Sequence, residues 1–469
     1  MSTPPRAAPR RDARLAAAVV AGQLAATLSR RLGRGGGTTL PGRVTSLVDP
    51  ESLAKIAGQL RGGSIVVTGT NGKTTTTRLI ADLLRAEGRR VVHNRSGANL
   101  VSGVASALIG ATTADGRPLG EVGLFEVDEA SVPAVVEAIR PRVLAVTNLF
   151  RDQLDRYGEV TFVANSWRRA IAHLDGGSTL VLNADDPNVA ALGREAPGPV
   201  LYVGVDDRRM AGTELEHTAD ARLCPVCGER LAYDAVYYGH VGHYRCPACG
   251  FTRPAPQVAA ARVEAAGADG SLVHLGDGGD LDVPLPGLYN VYNALAGVGV
   301  ARAVGLDPTR TRQTVARFSA AFGRIERVAV EGRELYLALV KNPVGFNQVL
   351  RSVVAPLQDA DVLIAINDNL ADGTDVSWLW DTDVEPLIGA ARRVWVTGTR
   401  GGDMRLRLKY GGLADDRIEL ERDLVPAVDR AVASVPPGGT LYAMPTYTAM
   451  LDLRAELARR GLVAPFWED

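Results

Sequence analysis

Gly69-Thr70-Asn71-Gly72-Lys73-Thr74 brings together the residue types that hold a phosphate chain. Glycines let backbone amides turn inward on an anion, and a helix opening at the end of the loop adds positive potential. Lys73 can then reach the terminal phosphates, while the Thr74 hydroxyl can ligate Mg²⁺. The earlier glycine of the full Walker pattern is missing, because Val67 stands in its place. A metal-bound nucleoside triphosphate also needs oxygen ligands from a neighbouring strand. Glu126, Asp128 and Glu129 close an apolar run at 122–127 in that way, and Glu126 is the expected Mg²⁺ ligand. A second constellation is Cys224-x-x-Cys227 and Cys246-x-x-Cys249, eighteen residues apart, with a glycine after each pair. Four thiolates saturate tetrahedral Zn²⁺ and leave no position for water, so this site reads as structural. His240 and His243 are rival ligands by position. The four cysteines are all used in the two pairs, which in a chain of 469 residues points to metal in a reducing cytosol rather than to disulfides.

These residues require particular elements beneath them. Residues 64–68 are short, apolar and β-branched, 69–73 is a loop and 74–86 reads as a helix, the context a phosphate loop demands. Compact strands at 122–127 and 143–147, with helices at 132–139 and 163–174, continue the alternation of a doubly wound α/β domain. A Cys-, Tyr-, Gly- and Pro-rich insertion interrupts it at about 214–256, and a second α/β series starts near Arg327, with strands at 362–366, 393–397 and 440–443. The expected organisation is a basic helical arm over 1–50, a P-loop ATPase domain over 51–325 carrying a four-Cys zinc ribbon, and a C-terminal Rossmann-like α/β domain over 326–469. Apolar residues make up 46%, enough for several cores, which excludes a small module or a disordered chain.

Charge narrows the function further. A formal net charge of −1 excludes a chain-wide attraction to nucleic acid or membrane. Between the cysteine pairs only Arg230 and Arg245 are basic, which weakens a nucleic-acid role for the ribbon. Only four of the 52 basic residues are lysines (Lys55, Lys73, Lys341, Lys409), so a lysine inside a phosphate loop stands out. The N-terminal apolar run at 15–28 is long enough for a signal-peptide core and too short to span a bilayer. Arg30, Arg31 and Arg34 follow it without a small-residue cleavage site, so it reads as an Ala-rich helix on a basic arm. Residues 1–43 hold eight Arg and one Asp. Such a helix either packs on its own domain or meets an anionic membrane surface or a phosphate-bearing substrate.

Several motifs together resemble the Mur ligase superfamily, the ATP-dependent ligases of peptidoglycan synthesis and folate polyglutamylation. They are Gly69 to Thr75, Glu126, Thr147-Asn148 leading to Asp152-Gln153-Leu154-Asp155, Asn183-Ala184-Asp185-Asp186-Pro187, Gly287 with Asn290 and Asn293, and Gly323-Arg324. The resemblance implies a cofactor site for ATP and Mg²⁺ formed by Gly69, Thr70, Asn71, Gly72, Lys73, Thr74, Thr75, Asn290, Asn293 and Arg324. The asparagines would lie by the base and the arginine would meet the phosphates. Amino-acid-adding members usually carry a His where Gln153 stands and a carbamylated Lys, and this chain has no Lys between Lys73 and Lys341.

The stretch 368–381, with 341–347 and 445–450, resembles the ligase-subunit family of lipid II isoglutaminyl synthases. That resemblance implies phosphorylation of the α-carboxylate of D-Glu in the lipid II stem peptide and attack by ammonia to leave D-isoglutamine. The ammonia would come from a GatD-like glutamine amidotransferase, since no cysteine here remains for a glutaminase nucleophile. Asp368, Asp372 and Asp375 are the candidates to complete that partner's triad. The implied location is the cytoplasm at the inner face of the plasma membrane, with membrane contact through the substrate and no nucleic acid. The competing readings are an amino-acid-adding ligase of the Mur or folylpolyglutamate type, and a zinc-ribbon NTPase that binds nucleic acid.

Overall fold

The computed structural model describes residues 12–31, 39–94, 98–151, 160–212, 214–216, 219–319 and 326–464. Its larger sheet contains β1 Ser64–Thr68, β2 Val91–His93, β3 Val122–Glu126, β4 Val143–Val146, β5 Thr179–Asn183, β6 Val200–Val205, β9 Val258–Ala265, β10 Ser271–Leu275 and β11 Asp280–Val283. The spatial order is β11-β10-β9-β6-β5-β4-β1-β3-β2. Pairing is parallel from β2 through β9, and the last two strands are antiparallel. In β1 every residue is buried, and successive side chains serve opposite faces. Ile65 and Val67 pack with the helices Lys73–Ala86 and Leu288–Val304, while Val66 packs on the other side with the helices Val132–Ile139 and Val160–Ala172. The carboxyl end of β1, flanked by β3 and β4, is the topological switch point of the sheet, where open α/β sheets place their ligands.

The insertion leaves the sheet after β6 and forms a hairpin of β7 Ala232–Tyr238 and β8 Val241–Arg245. One fully buried acid fastens it. Asp185, just past β5, accepts from Arg253 Nε at 2.5 Å, Tyr292 Oη at 2.5 Å and Val205 N at 2.8 Å. Burial pushes the Asp185 carboxyl up, and Arg253 is the main force pulling it back. Removing one partner of such a buried set strands the other, so Asp185→Ala is expected to cost about 3–5 kcal/mol in denaturant unfolding. A loss below about 1 kcal/mol, the range of an exposed pair, would show that Asp185 does not fasten the insertion.

The second sheet contains β12 Glu326–Val330, β13 Arg333–Leu337, β14 Ala360–Ala365, β15 Ala391–Thr397, β16 Ile418–Leu420 and β17 Thr440–Pro445. Its order is β12-β13-β17-β14-β15-β16, parallel except for β12 against β13. β17 returns between β13 and β14, so a second switch point lies where β14, β15 and β17 end. The apolar run at 15–28 lies within the helix Ala13–Arg31, whose Leu15 and Val19 enter the core formed with Val104, Leu108 and Ile109. Among the described residues no helix is long and apolar enough to cross a membrane.

Candidate active site

The loop after β1 is tied down on every side by the segment after β4. Thr70 N donates to Asn148 O (3.0 Å), Asn71 N to Asn148 Oδ1 (2.8 Å), Asn148 Nδ2 to Asn71 O (3.0 Å) and Thr147 Oγ1 to Asn71 O (2.8 Å). Gly69 and Gly72 hold φ of 130° and 83°, a region closed to most side chains. A Cβ on Gly69 would lie 2.2 Å from Thr147 Oγ1, and one on Gly72 would lie 2.0 Å from Asn293 Oδ1. Those glycines therefore permit the close packing of 147–148 on one side and the helix Leu288–Val304 on the other. The helix from Lys73 starts without a side-chain cap, the setting in which a helix start serves an anion. Thr74 and Thr75 are buried in that first turn.

Lys73 is held in place before any phosphate arrives. Its Nζ donates to Gly69 O at 2.5 Å, Thr70 O at 3.2 Å and Glu129 Oε2 at 2.9 Å, with both ionic groups buried. The three acids at and just past the end of β3 are buried as well, at 6%, 7% and 4% exposure for Glu126, Asp128 and Glu129, rather than solvated at a strand end. They do different things. Asp128 caps the short turn Glu129–Ser131, Glu129 pairs with Lys73, and Asn94 brackets the backbone of Glu126 through bonds at 2.9 and 2.8 Å. The Glu126 carboxylate takes no hydrogen bond among the described residues. Sequence reasoning missed Glu129 as the lysine's partner, because that pairing depends on the turn folding the acid back toward β1.

Asn290 and Asn293 sit one helical turn apart beside the loop. Asn293 Nδ2 donates to Asn290 Oδ1 at 3.1 Å, and Asn290 Nδ2 donates to Pro286 O at 2.8 Å. The second sheet closes over them, with Asn342 Nδ2 donating to Asn71 Oδ1 at 3.0 Å. Between the two lies a cleft to which Gly72, Thr75, Asn290, Asn293, Lys341 and Gln348 contribute. Arg351, beyond Gln348 in the chain, pairs with Glu216 and Asp383. Arg324 and Asp152 through Asp155 lie outside the described residues.

The four cysteines converge. Their sulfurs lie within 4.8 Å of one another, with 3.7 Å between Cys224 and Cys249 and 3.5 Å between Cys227 and Cys246. Four thiolates about 2.3 Å from one zinc would stand about 3.8 Å apart, so the set fits that ion. Each pair turns through a glycine of positive φ, Gly228 or Gly250, whose amide returns to the first cysteine's carbonyl. The Cys249 amide leads in pulling the Cys246 thiol down to about 7. His240 and His243 are elsewhere. His240 Nδ1 accepts from Asp220 N, which leaves Nε2 as the protonated nitrogen, 3.3 Å from Asp186 Oδ2. His243 Nε2 meets Val205 O at 2.8 Å and Tyr237 Oη at 3.2 Å. Asp186 accepts from Leu149 N at 2.8 Å, so the acid that stands beside His240 is bonded to the segment that braces the phosphate loop.

The three aspartates of the second sheet lie near its switch point in three different environments. Asp368 accepts from Thr399 Oγ1 and Arg400 Nε, both at 2.7 Å, and these two hold its carboxyl low. Asp372 is buried and receives Thr448 N at 2.8 Å and Thr448 Oγ1 at 2.6 Å. Asp375 is exposed, and the Ser377 hydroxyl and amide keep its carboxyl low. Around them Leu370 is 79% exposed, and Trp380 (51%) meets Tyr410 (73%) edge-on at 5.8 Å. The network of Asn367, Asn369, Thr399 and Thr448 about these acids was not foreseen as such, because it joins three strand ends.

Comparison with known proteins adds two family matches, the Mur ligase middle domain over residues 67–301 and the MurT ligase C-terminal region over 339–450. The chain is 35% identical to the MurT subunit of lipid II isoglutaminyl synthase (glutamine-hydrolyzing) of Staphylococcus aureus (strain COL), across 93% of this chain and 96% of that one. It is 33% identical to the MurT subunit of Streptococcus pneumoniae (strain ATCC BAA-255 / R6), across 95% and 97%. Among solved structures, a pseudomurein peptide ligase type C from Methanothermus fervidus superposes with a TM-score of 0.64 at 21% identity, covering 85% of this chain and 78% of the other.

Proposed function

Because the chain belongs to the MurT family of Mur ligases, we propose that it is the ligase subunit of a glutamine-hydrolysing lipid II isoglutaminyl synthase. The observation that carries the reading is the cleft itself. A braced phosphate loop with a buried lysine faces residues 341–349 of the second sheet, which fall inside the MurT-type region. In the reaction an oxygen of the stem-peptide D-Glu α-carboxylate attacks the γ-phosphorus of ATP, and ADP leaves. Ammonia then adds to the carbonyl carbon of the acyl phosphate, phosphate departs with the bonding pair, and the nitrogen loses a proton to leave the amide of D-isoglutamine.

The chain's residues supply position and charge. Loop amides and the uncapped helix start hold the phosphates, and Lys73 exchanges its Glu129 bond for the transferring phosphoryl oxygens. Glu126 and the Thr74 hydroxyl offer the hard oxygen donors that Mg²⁺ takes, and such an ion would neutralise charge between the phosphate oxygens. Asn290 and Asn293 would lie by the base, with Arg324 as a phosphate contact. Lys341 and Gln348 wall the cleft and keep water from the acyl phosphate. Incubation with ATP, Mg²⁺, lipid II and ammonium should release phosphate and convert the D-Glu carboxyl to its amide by mass spectrometry. Phosphate release without amide, or with nucleic acid in place of lipid II, would defeat the reading.

The finer architecture belongs to the same proposal. The cysteine set forms a zinc ribbon, the second sheet is a Rossmann-like domain, and the divisions fall at 1–50, 51–325 and 326–469. The zinc role predicts one equivalent of Zn²⁺ per chain in protein purified without chelator. Elemental analysis finding less than half would remove the metal from the account. Cys224→Ser is expected to lose the ion and lower thermal stability more than it alters nucleotide binding, since the knuckles touch none of the cleft. The partner is a GatD-like glutaminase, and the exposed Leu370, Trp380 and Tyr410 beside the aspartates favour a docking surface there. With ATP and a lipid-linked substrate, the enzyme works in the cytoplasm at the inner face of the plasma membrane.

A further inference from the structure

The first helix presents a face that no part of the described structure covers. Ala13–Arg31 buries Leu15, Ala18, Val19 and Gly22. Gly22 lies so close to the helix Leu40–Val48 that a Cβ there would stand 2.1 Å from Thr45 Oγ1 and 3.1 Å from Pro41 O. Arg14 Nε donates to Val48 O at 3.0 Å, so the two helices run antiparallel. The outer face of the first consists of Ala13, Ala17, Val20, Leu24, Thr27 and Leu28, at helical three- and four-residue spacing, all exposed. Leu24 and Leu28 are each 59% exposed, and Leu47 of the second helix is 83% exposed. Scattered single leucines are ordinary on a protein surface. An apolar stripe along a whole helix, with charge only near its ends, is the pattern of a contact surface.

Charge selects the occupant. Residues 1–57 carry nine basic and three acidic side chains, so this region is +6, while the remainder of the chain is −7. The three acids, Asp12, Asp49 and Glu51, gather on Lys55 at 2.9, 2.8 and 3.7 Å, so the eight arginines of the region carry its excess of +6. A second copy of this face would bring the same positive charge. An anionic lipid surface accepts both halves of the pattern, the leucines at the acyl boundary and the guanidiniums among the headgroups. We propose that the helices Ala13–Arg31 and Leu40–Val48 form a docking face for an anionic bilayer, lying flat on it without crossing. The inference does not depend on the ligase chemistry.

The test is co-sedimentation of the full chain with phosphatidylglycerol vesicles and with phosphatidylcholine vesicles, none containing a lipid-linked substrate. Binding should favour the anionic vesicles, weaken with added salt and fall by about 10-fold or more in Leu24→Asp/Leu28→Asp. Leu47→Asp, on the other helix, gives an independent reading, and circular dichroism checks that each variant is folded. Absent binding to phosphatidylglycerol, or unchanged binding by folded variants, would overturn the proposal. So would a variant that shifts the sedimentation coefficient without vesicles, because the face would then belong to self-association.

Discussion

Lys73→Ala is expected to lower ammonium-supported, ATP-dependent amidation by about 10²-fold or more, the loss that follows when a charge-assisted transition-state contact is removed. The magnitude follows from where the amine sits. Its head is held by two loop carbonyls and by Glu129, so its desolvation is completed on folding rather than during the reaction. When charge moves onto the transferring phosphoryl group, the ammonium exchanges one buried oxygen for another and can act at full strength in a site of low dielectric. Ammonium as nitrogen source keeps the glutaminase out of the measurement. Removing the lysine also leaves Glu129 buried and unpaired, which costs stability. Lys73→Ala/Glu129→Gln therefore accompanies the single variant, and should recover folding without recovering turnover. Glu126→Ala should act in the same direction through loss of a metal oxygen. Near-normal turnover in a folded Lys73 variant would remove this loop from the phosphoryl-transfer site.

How far the sequence could be read depended on the range of each interaction. The phosphate loop was legible because strand, turn and helix are contiguous, and its two strained glycines are local necessities. The convergence of the cysteine pairs was legible because two C-x-x-C turns at such a spacing bring four thiols to one point. The outcome for His240 and His243 was not, since it turns on Asp220, Asp186, Val205 and Tyr237, which sequence separation hides. The Asn183–Pro187 motif was visible as a motif only. Its physical work, Asp185 clamping Arg253 and Tyr292 and Asp186 accepting from Leu149 beside His240, exists only once β5 and β6 lie beside the insertion. The N-terminal helix shows the same division, because its composition gave a helix but not which face would stay uncovered.

The second large effect concerns the supply of ammonia, and the structure separates three aspartates that the sequence left equal. A group that completes a partner's Cys-His pair must be ionised, exposed and free to accept the imidazole N–H. Asp372 is buried and already receives the amide and hydroxyl of Thr448 at the start of the helix Tyr447–Arg459, which makes it a fastener. Asp368 is committed to Thr399 and Arg400. Asp375 remains, exposed, held in the carboxylate form by Ser377 and close in sequence to the exposed Trp380. Asp375→Asn is therefore expected to lose glutamine-supported amidation by about 10²-fold or more, within the roughly 10⁴-fold that an orienting acid supplies in such triads, while ammonium-supported amidation stays near normal. Asp372→Asn should instead lower thermal stability, and Asp368→Asn should lower either activity less. Because Ser377 depresses the Asp375 carboxyl, glutamine-supported turnover should persist below the ordinary Asp range on this residue's account and fail only as pH falls through the lowered value. The deciding assay is the complex with its glutaminase, run with each nitrogen source. Equal loss with both sources for Asp375→Asn would place that carboxylate in the ligase cleft and end its assignment to the partner's triad.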